Sequence, residues 1–535
     1  MGGAVNAWIA AALATPCLLL LACVSLRLRS RMPALLAFAP LPALLAGLLA
    51  SYDVPLRIGS ARFALVFALD VPGAMLLGAA ALLWIVAGVH ARGHLVGRPD
   101  AGAFVVAWLM TLTGCVGVFL AADVVGFYFL LALLSVGAAG LVLQGQGAQA
   151  LRAGAIYLGV ALFAEAFLLA GLILAVQASP SGSLLIADVA ATLASSQSSD
   201  LALTLLVVGL GIKAGLVPFH FWMPLAYGAA PVPAAAVLSG AVVKASLLAM
   251  VRLLPFDTAL PEFGLPLACV GMFGALYGVA VGITRSNAKL VLAYSSVSQM
   301  GFVMAIVGMG LATGNAATPL VAAFYAVHHL LVKGALFLCV DAVPATRARA
   351  VLVPAGVIAL GLAGLPLAGG FVAKYAAKDV FGEGAFATLA VASSVATAWL
   401  MCHLLRRLAV DANLSARFSW TWFAMAFACV FVPWWIYVAT PIGTASALLA
   451  ASVLRSSLWP VLAGGALALA TVRTGIRWPA VPAGDVGAML RGLERLAGRI
   501  ATAFQQGDIV VRRWHVASVA LLLIAAAFYW TLRAP

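Results

Sequence analysis

Apolar windows of about 20 residues, the length needed to cross a bilayer, recur from one end of the chain to the other. The pattern predicts about sixteen membrane spans, with rough extents 6–28, 33–50, 71–90, 103–121, 124–144, 153–176, 201–227, 233–254, 263–284, 288–311, 317–341, 350–382, 385–405, 419–440, 458–473 and 515–532. Residues 201–227 and 350–382 are interrupted by glycine and proline and read as broken helices. The Ser-rich stretch 177–200 reads as a loop, and the more polar 51–70 as an external loop with room for a short hairpin. In 482–506, Met489, Leu490, Leu493, Leu496, Ile500 and Phe504 share one helical face, with Arg491, Glu494, Arg495 and Arg499 around the rest. That segment predicts an amphipathic helix lying in the membrane interface; a linker helix packed on the protein is the other reading.

Composition narrows the class. Of 535 residues, 65% are hydrophobic and 9% charged, with a mean hydropathy of +1.14. This describes an all-α polytopic membrane protein with no room for a soluble catalytic domain. The first segment lacks an Ala-x-Ala-type exit and reads as a retained helix, not a cleaved signal. The net charge of +14 belongs to arginines flanking helices and facing anionic lipid, so nucleic acid is not expected as a partner. Sorting alternate loops puts 20 positive residues on one side and five on the other. The richer side is expected to be cytoplasmic, with both termini periplasmic in a bacterial inner membrane. The seven cysteines form no C-x-x-C pair, and no iron–sulfur cluster, structural zinc or disulfide framework is expected.

The basic residues divide by kind. Twenty-four arginines do nearly all the loop work, while the six lysines stand at 213, 244, 289, 333, 374 and 378, and only Lys289 is at a loop edge. Arginine is a fixed charge, but a lysine in apolar surroundings can exchange its proton near neutral pH. Ionisable residues inside spans are expensive and mark ion paths. Lys213, Lys244, Lys333 and Lys374 are therefore candidate proton carriers; Lys378, near a helix end, fits a snorkelling role equally well. His328 and His329 precede Lys333 by about one turn, and His329 shares its helix face. His220 follows the first break and is placed to lead from the cytoplasm toward Lys213. Glu165 is the only acid deep inside a span, and either sets the proton affinity of a buried lysine or forms a purely structural ion pair. The two interrupted segments lie five spans apart, so the second runs in the opposite direction. Such an inverted repeat is a transporter design whose breaks mark the transport site.

"GIKAGLVPFHFWMPLAYGAAPVPAAAVLSGAVVKA", "SNAKLVLAYSSVSQMG", "HHLLVKGALFL" and "GLPLAGGFVAKY" resemble the antiporter-like, proton-conducting membrane subunits of respiratory complex I, Mrp-type antiporters and membrane-bound hydrogenases. The resemblance covers about residues 100–410. The C-terminal "FQQGDIVVRRWHVASVALLLIAAAFYW" is similar to the larger members, the complex I subunit 5 type and the B component of hydrogenase-4, and "FAEAFLLAG" also resembles the latter. The resemblance implies a core of about fourteen helices with two inverted five-helix units. It divides the chain into N-terminal helices 1–100, a first unit 101–260, a second unit 261–410, and C-terminal helices 411–535. It implies Lys213 as the exchanging lysine of the first break, with Lys244 its neighbour. Lys333 or the adjacent histidines make the central connection, and Lys374 takes the exit position. It also implies no redox cofactor and, as partners, other membrane and peripheral subunits of a respiratory, hydrogenase or antiporter complex.

One departure stands out. Members usually carry a glutamate on the fifth helix, paired with the first-break lysine, and here that position is Ala132. Either Glu165 supplies the missing charge or the protein does not pump in the usual way. Two other classes stay open: a non-pumping scaffold or energy-coupling partner, for example in inorganic carbon uptake, and a stand-alone secondary transporter.

Overall fold

In the computed structural model, residues 2–481 are described except for 51–53, 60–63, 146, 180–181, 194–198, 344–347, 412–418, 477 and 480. The amphipathic segment 482–506 and the last expected span, 515–532, lie outside the described residues. The chain begins with α1 (Gly2–Ala22), α2 (Leu26–Arg29) and α3 (Leu41–Leu49), followed by a hairpin of β1 (Leu56–Gly59) and β2 (Ala64–Phe67). Long helices follow: α4 (Val71–Leu95), α5 (Ala101–Leu120), α6 (Val124–Leu143) and α7 (Gly147–Ala178). After the short α8 (Ile186–Leu193), the first broken span consists of α9 (Ser199–Ala214) and α10 (Trp222–Ala229). The next span, α11 (Val232–Val237) and α12 (Lys244–Leu253), is joined by a π-turn at Leu238–Val242. Then come α13 (Pro261–Gly282), α14 (Ala288–Thr313) and α15 (Thr318–Cys339), and the second broken span, α16 (Ala348–Gly361) and α17 (Gly369–Phe381). The described part closes with α18 (Ala385–Val410), α19 (Trp420–Ala439), α20 (Ala445–Leu448) and α21 (Ala451–Thr474).

Among the described residues, twelve helical segments are long and apolar enough to cross a membrane, or 13 if α1 and its bent continuation Leu26–Ala34 count as one. Two segments differ from the reading above. Segment 33–50 is regular only over α3, because Pro33 and Pro40 withhold amide donors and leave turns before it. The Ser-rich stretch 177–200, read as a loop, carries the short α8, whereas 350–382 is broken into two helices as expected. The hairpin expected within 51–70 is present.

The two breaks share a local design. Gly215 has φ 76° and Gly364 φ 100°, a conformation open to glycine without a Cβ penalty. The Gly215 amide donates to Ile212 O and the Leu216 amide to Gly211 O; the Gly364 amide donates to Gly361 O and the Leu365 amide to Leu360 O. Each half-helix thus ends in the same Schellman cap, written by Ala-Gly-Leu in both places.

Helices pack closely where small residues meet. A Cβ on Gly114 would sit 2.5 Å from the Leu134 amide between α5 and α6, and one on Gly271 2.6 Å from the Ala305 amide between α13 and α14. Close backbone approach through small residues is how helices associate in lipid, where apolar burial offers little drive.

Contacts between chain ends of helices respect the alternating-loop partition. Asp70, before α4, pairs with Arg252, at the end of α12, and Arg252 also donates to Phe119 O and Ala121 O. Leu260 donates to Leu311 O. At the other end, Arg98 reaches Gln144 O, Lys289 donates to Ala230 O, and His403 bonds Arg285 O. Each of these contacts joins loops that the partition assigns to the same side.

Candidate functional site

Lys213 lies in the last turn of α9, two residues before Gly215, where exposed helix carbonyls favour a cation. Its Nζ donates to Glu165 Oε1 at 2.8 Å and to Ser135 Oγ at 2.7 Å, and the Ser135 hydroxyl donates to the same carboxylate oxygen at 2.6 Å. Glu165 comes from α7 and Ser135 from α6, both buried. The Lys213 side chain is only 10% exposed and the Glu165 side chain 5%. A buried pair of this kind needs its extra hydrogen bonds, since the desolvation of each ion is otherwise uncompensated. Ala132 stands one turn before Ser135 on α6 and lines a different space, an apolar hollow shared with Tyr128, Phe129, Leu169 and Ile173.

A cavity of about 30 Å³, room for about one water, lies beside Lys213 and Ser135. Its far wall is Val242, Val243 and Ser246, at the π-turn and the start of α12. Lys244 is fully buried there and donates to Ser239 O at 2.8 Å. The π-turn exists at this point: it redirects the Ser239 carbonyl toward Lys244, and π-bulges frequently sit at functional sites.

From Lys244 the polar groups continue across the molecule. The Ser239 and Ser296 hydroxyls share a hydrogen bond of 2.8 Å, and Ser296 donates to Leu292 O. Lys333, fully buried on α15, donates to the same Leu292 carbonyl at 2.9 Å. His329 stands within electrostatic reach of Lys244, Lys333 and His328. Among the described residues, no ring nitrogen of His328 or His329 meets a hydrogen-bond partner. These rings can take or give a proton without first breaking a protein hydrogen bond.

The second break carries the other end. His328 packs on Gly369 and Gly370 at the start of α17, where a Cβ on Gly370 would lie 2.5 Å from its Nε2. Tyr325, 6.4 Å from the His328 ring, donates to Gln299, whose amide donates to Thr397. One turn earlier on α18, Ser394 accepts from Lys374 Nζ at 2.7 Å. The ammonium also stands over the Phe302 ring, 4.9 Å from its centre. Lys374 opens onto a cavity of about 240 Å³ that Lys378, Ser456 and Ser457 also line. Lys378 is exposed at the end of α17, in keeping with snorkelling.

Of the residues singled out from sequence, Lys213 and Glu165 are in direct contact, and Lys244, Lys333, His328 and His329 form the centre. Lys374 lies beyond the second break. His220 is apart from these, buried 5.1 Å from the Tyr277 ring and 6.3 Å from that of Tyr294, whose hydroxyl accepts from Arg285. Ser135, Ser239, Ser296, Gln299, Tyr325, Ser394 and Thr397 were not anticipated. Serine, threonine and glutamine inside helices often bond their own backbone, so their position alone carries little signal. Among the described residues no three His, Cys, Asp or Glu side chains converge as a metal site.

The profile of the family described as NADH:quinone oxidoreductase/Mrp antiporter, transmembrane, matches residues 121–399. The chain is 32% identical over 344 residues to NADH-quinone oxidoreductase subunit N of Desulforudis audaxviator, covering 59% of this chain and 67% of that protein. It is 28% identical to hydrogenase-4 component B of Escherichia coli, over 51% of this chain but only 43% of that one. Among solved structures, a chain of the Mrp complex from Dietzia sp. DQ12-45-1b superposes with a TM-score of 0.72 at 21% identity, over 99% of this chain and 63% of its own. A chain of respiratory complex I from Thermus thermophilus gives 0.63 at 24% identity, over 80% of this chain and 97% of its own. These superpositions establish the fold.

Proposed function

The chain belongs to the NADH:quinone oxidoreductase/Mrp antiporter membrane family, and from that premise we propose that it is a proton-translocating membrane subunit of a multisubunit complex. Its partners are the other membrane and peripheral subunits of a respiratory, hydrogenase or antiporter assembly, set in a bacterial inner membrane with both termini periplasmic. The observation that carries this reading is the buried contact of Lys213 with Glu165 beside the first helix break.

The proposed route begins at Lys213. The Glu165 carboxylate favours the protonated amine, and any lengthening of their 2.8 Å contact lowers that preference. A released proton has the small cavity on one side and Lys244 beyond it. Ser239 and Ser296 offer hydroxyls between Lys244 and Lys333, and the two histidines carry the charge toward the second break. Lys374 then discharges toward the cavity walled by α17, α18 and α21. His220, beside Tyr294, whose hydroxyl accepts from Arg285, belongs to the entry side in this scheme. The scaffold reading rested on the alanine at 132, and the presence of Glu165 against Lys213 removes its main support.

The decisive experiment replaces Lys213 with alanine in the native complex, reconstituted into vesicles. Loss of coupled proton movement with assembly intact is expected. Transport unchanged from the parent would overturn the reading.

A further inference from the structure

At the end of the molecule that carries the arginine-rich loops, α1 turns by 117° into Leu26–Ala34. Inside the bend lies an open hollow of about 930 Å³, bounded by Leu26, Arg29, Arg31, Arg92, Leu95 and Val96. Ala101 and Gly102, at the first turn of the 20-residue α5, complete its wall. The hollow has two kinds of surface, and both are placed by local structure.

Its basic side is built. Arg29 Nε donates to Cys23 O at 2.7 Å, and its stem lies across Gly102, where an added Cβ would come within 3.0 Å of Arg29 Cδ. The guanidinium is thereby anchored through Nε, and its terminal nitrogens meet no hydrogen-bond partner among the described residues. Among the described residues no carboxylate pairs with Arg29, Arg31 or Arg92, whereas neighbouring Arg98 is neutralised by Asp100 at 2.6 Å. The amides of the α5 first turn add positive potential to the same wall. Its apolar side is exposed: Leu26 is 75% and Val96 80% open, and Leu18, Leu21 and Phe38, on α1 and the turn before α3, are exposed as well.

We propose that this hollow binds one anionic phospholipid, its phosphate held by Arg29, Arg31 and Arg92 and its acyl chains running along Leu18, Leu21 and Phe38. Three unpaired cations against a bilayer-facing apolar surface match the two halves of such a molecule. A free phosphate uses only the cationic half and leaves most of the volume without a partner. The site goes beyond the transport reading and does not depend on it.

The test uses the full chain in its native complex, with a photoactivatable phosphatidylglycerol as probe. Cross-links within residues 18–38 and 92–102 are expected; cross-links confined to other segments, as when a neighbouring subunit covers the hollow, would overturn the proposal. Separately, phosphatidylglycerol is titrated into delipidated complex while thermal stability is read. A rise in melting temperature is expected with this lipid and not with phosphatidylcholine or inorganic phosphate. The triple variant Arg29→Gln, Arg31→Gln, Arg92→Gln should bind it on the order of a hundredfold more weakly. An equal response to inorganic phosphate, or to phosphatidylcholine, or an unaltered response in the triple variant, each defeats the assignment.

Discussion

A carboxylate that moves from α6 to α7 changes what it can face. At 132 it would look into an apolar hollow beside Phe129 and Leu169; at 165 it meets Lys213 and Ser135 in the interior. Glu165→Gln keeps the shape and removes the charge, leaving the Lys213 amine without its buried partner, so coupled transport should fall about as far as it does on losing Lys213 itself. Adding Ala132→Glu to that variant should not restore it, because the new carboxylate would enter the apolar hollow beside Phe129 and Leu169, one turn from Ser135, and not the position Glu165 holds against the amine. Rescue by the double substitution, measured as vesicle acidification, would refute the assigned partner. Glu165 was legible in the sequence because an acid within a span is rare enough to notice. Ser135 was not, since its role depends on three helices converging. A second residue-scale expectation concerns Asp70, outside the spans. Burial resists its charge, but Arg252 and the Gly73 amide hold the carboxyl below the usual carboxylate range. The depressed folded value means that this stabilisation is fully present above the unfolded carboxylate pKa of about 3.9 and disappears as pH falls through the folded one. Because the side chain is 44% exposed, the ion pair adds little beyond the cap. Asp70→Ala should therefore cost about 1 kcal/mol at pH 7, mostly the lost helix cap, and the ionic share should shrink progressively in melts recorded below about pH 4.

At the level of elements, the two capped breaks are where sequence and structure agree most closely, and also where sequence symmetry misleads. Glycine and proline announced both interruptions. Superimposing the caps at Gly215 and Gly364 puts Leu362, not Lys374, opposite Lys213. Lys213 precedes its break, while Lys374 follows the other, on α17. The two lysines are thus different devices: one sits among helix-end carbonyls with an acid, the other on a serine and an aromatic face beside a cavity. The π-turn at Leu238–Val242 had no warning in the pattern, because an added residue in a helix leaves its hydrophobicity unaltered. Gly215→Ala should destabilise the chain by more than about 1 kcal/mol, combining the left-handed penalty with a Cβ 2.4 Å from Met223 Cε. Gly364→Ala meets nothing closer than Lys374 Cδ at 3.3 Å and should cost about the backbone penalty alone. Thermal melts of the two variants that rank in the reverse order would show that the first cap tolerates a side chain.

On the scale of the whole molecule, the amines matter only if they act as one path. The structure joins Lys244 to Lys333 through Ser239, Ser296 and the Leu292 carbonyl, with α14 supplying the link between a span that follows the first break and one that precedes the second. Charges within reach of one another in a low-dielectric interior cannot be protonated independently, so each amine's state conditions the next. Removing a single member of such a series stops the flow, and removing a second adds nothing further. Lys244→Ala and Lys333→Ala should each abolish most coupled transport, and the double variant should be no slower than either. Two parallel routes would instead leave each single variant the other route's share of transport, and the double variant would lose the sum of the two. Ser296→Ala discriminates more finely: it deletes the hydroxyl between the two halves while leaving every amine in place. Its transport should fall several-fold at an unchanged stoichiometry of protons per electron pair or per exchanged cation, since the link is slowed and not rerouted. A stoichiometry that drops with Ser296→Ala would mean that the two halves move separate protons.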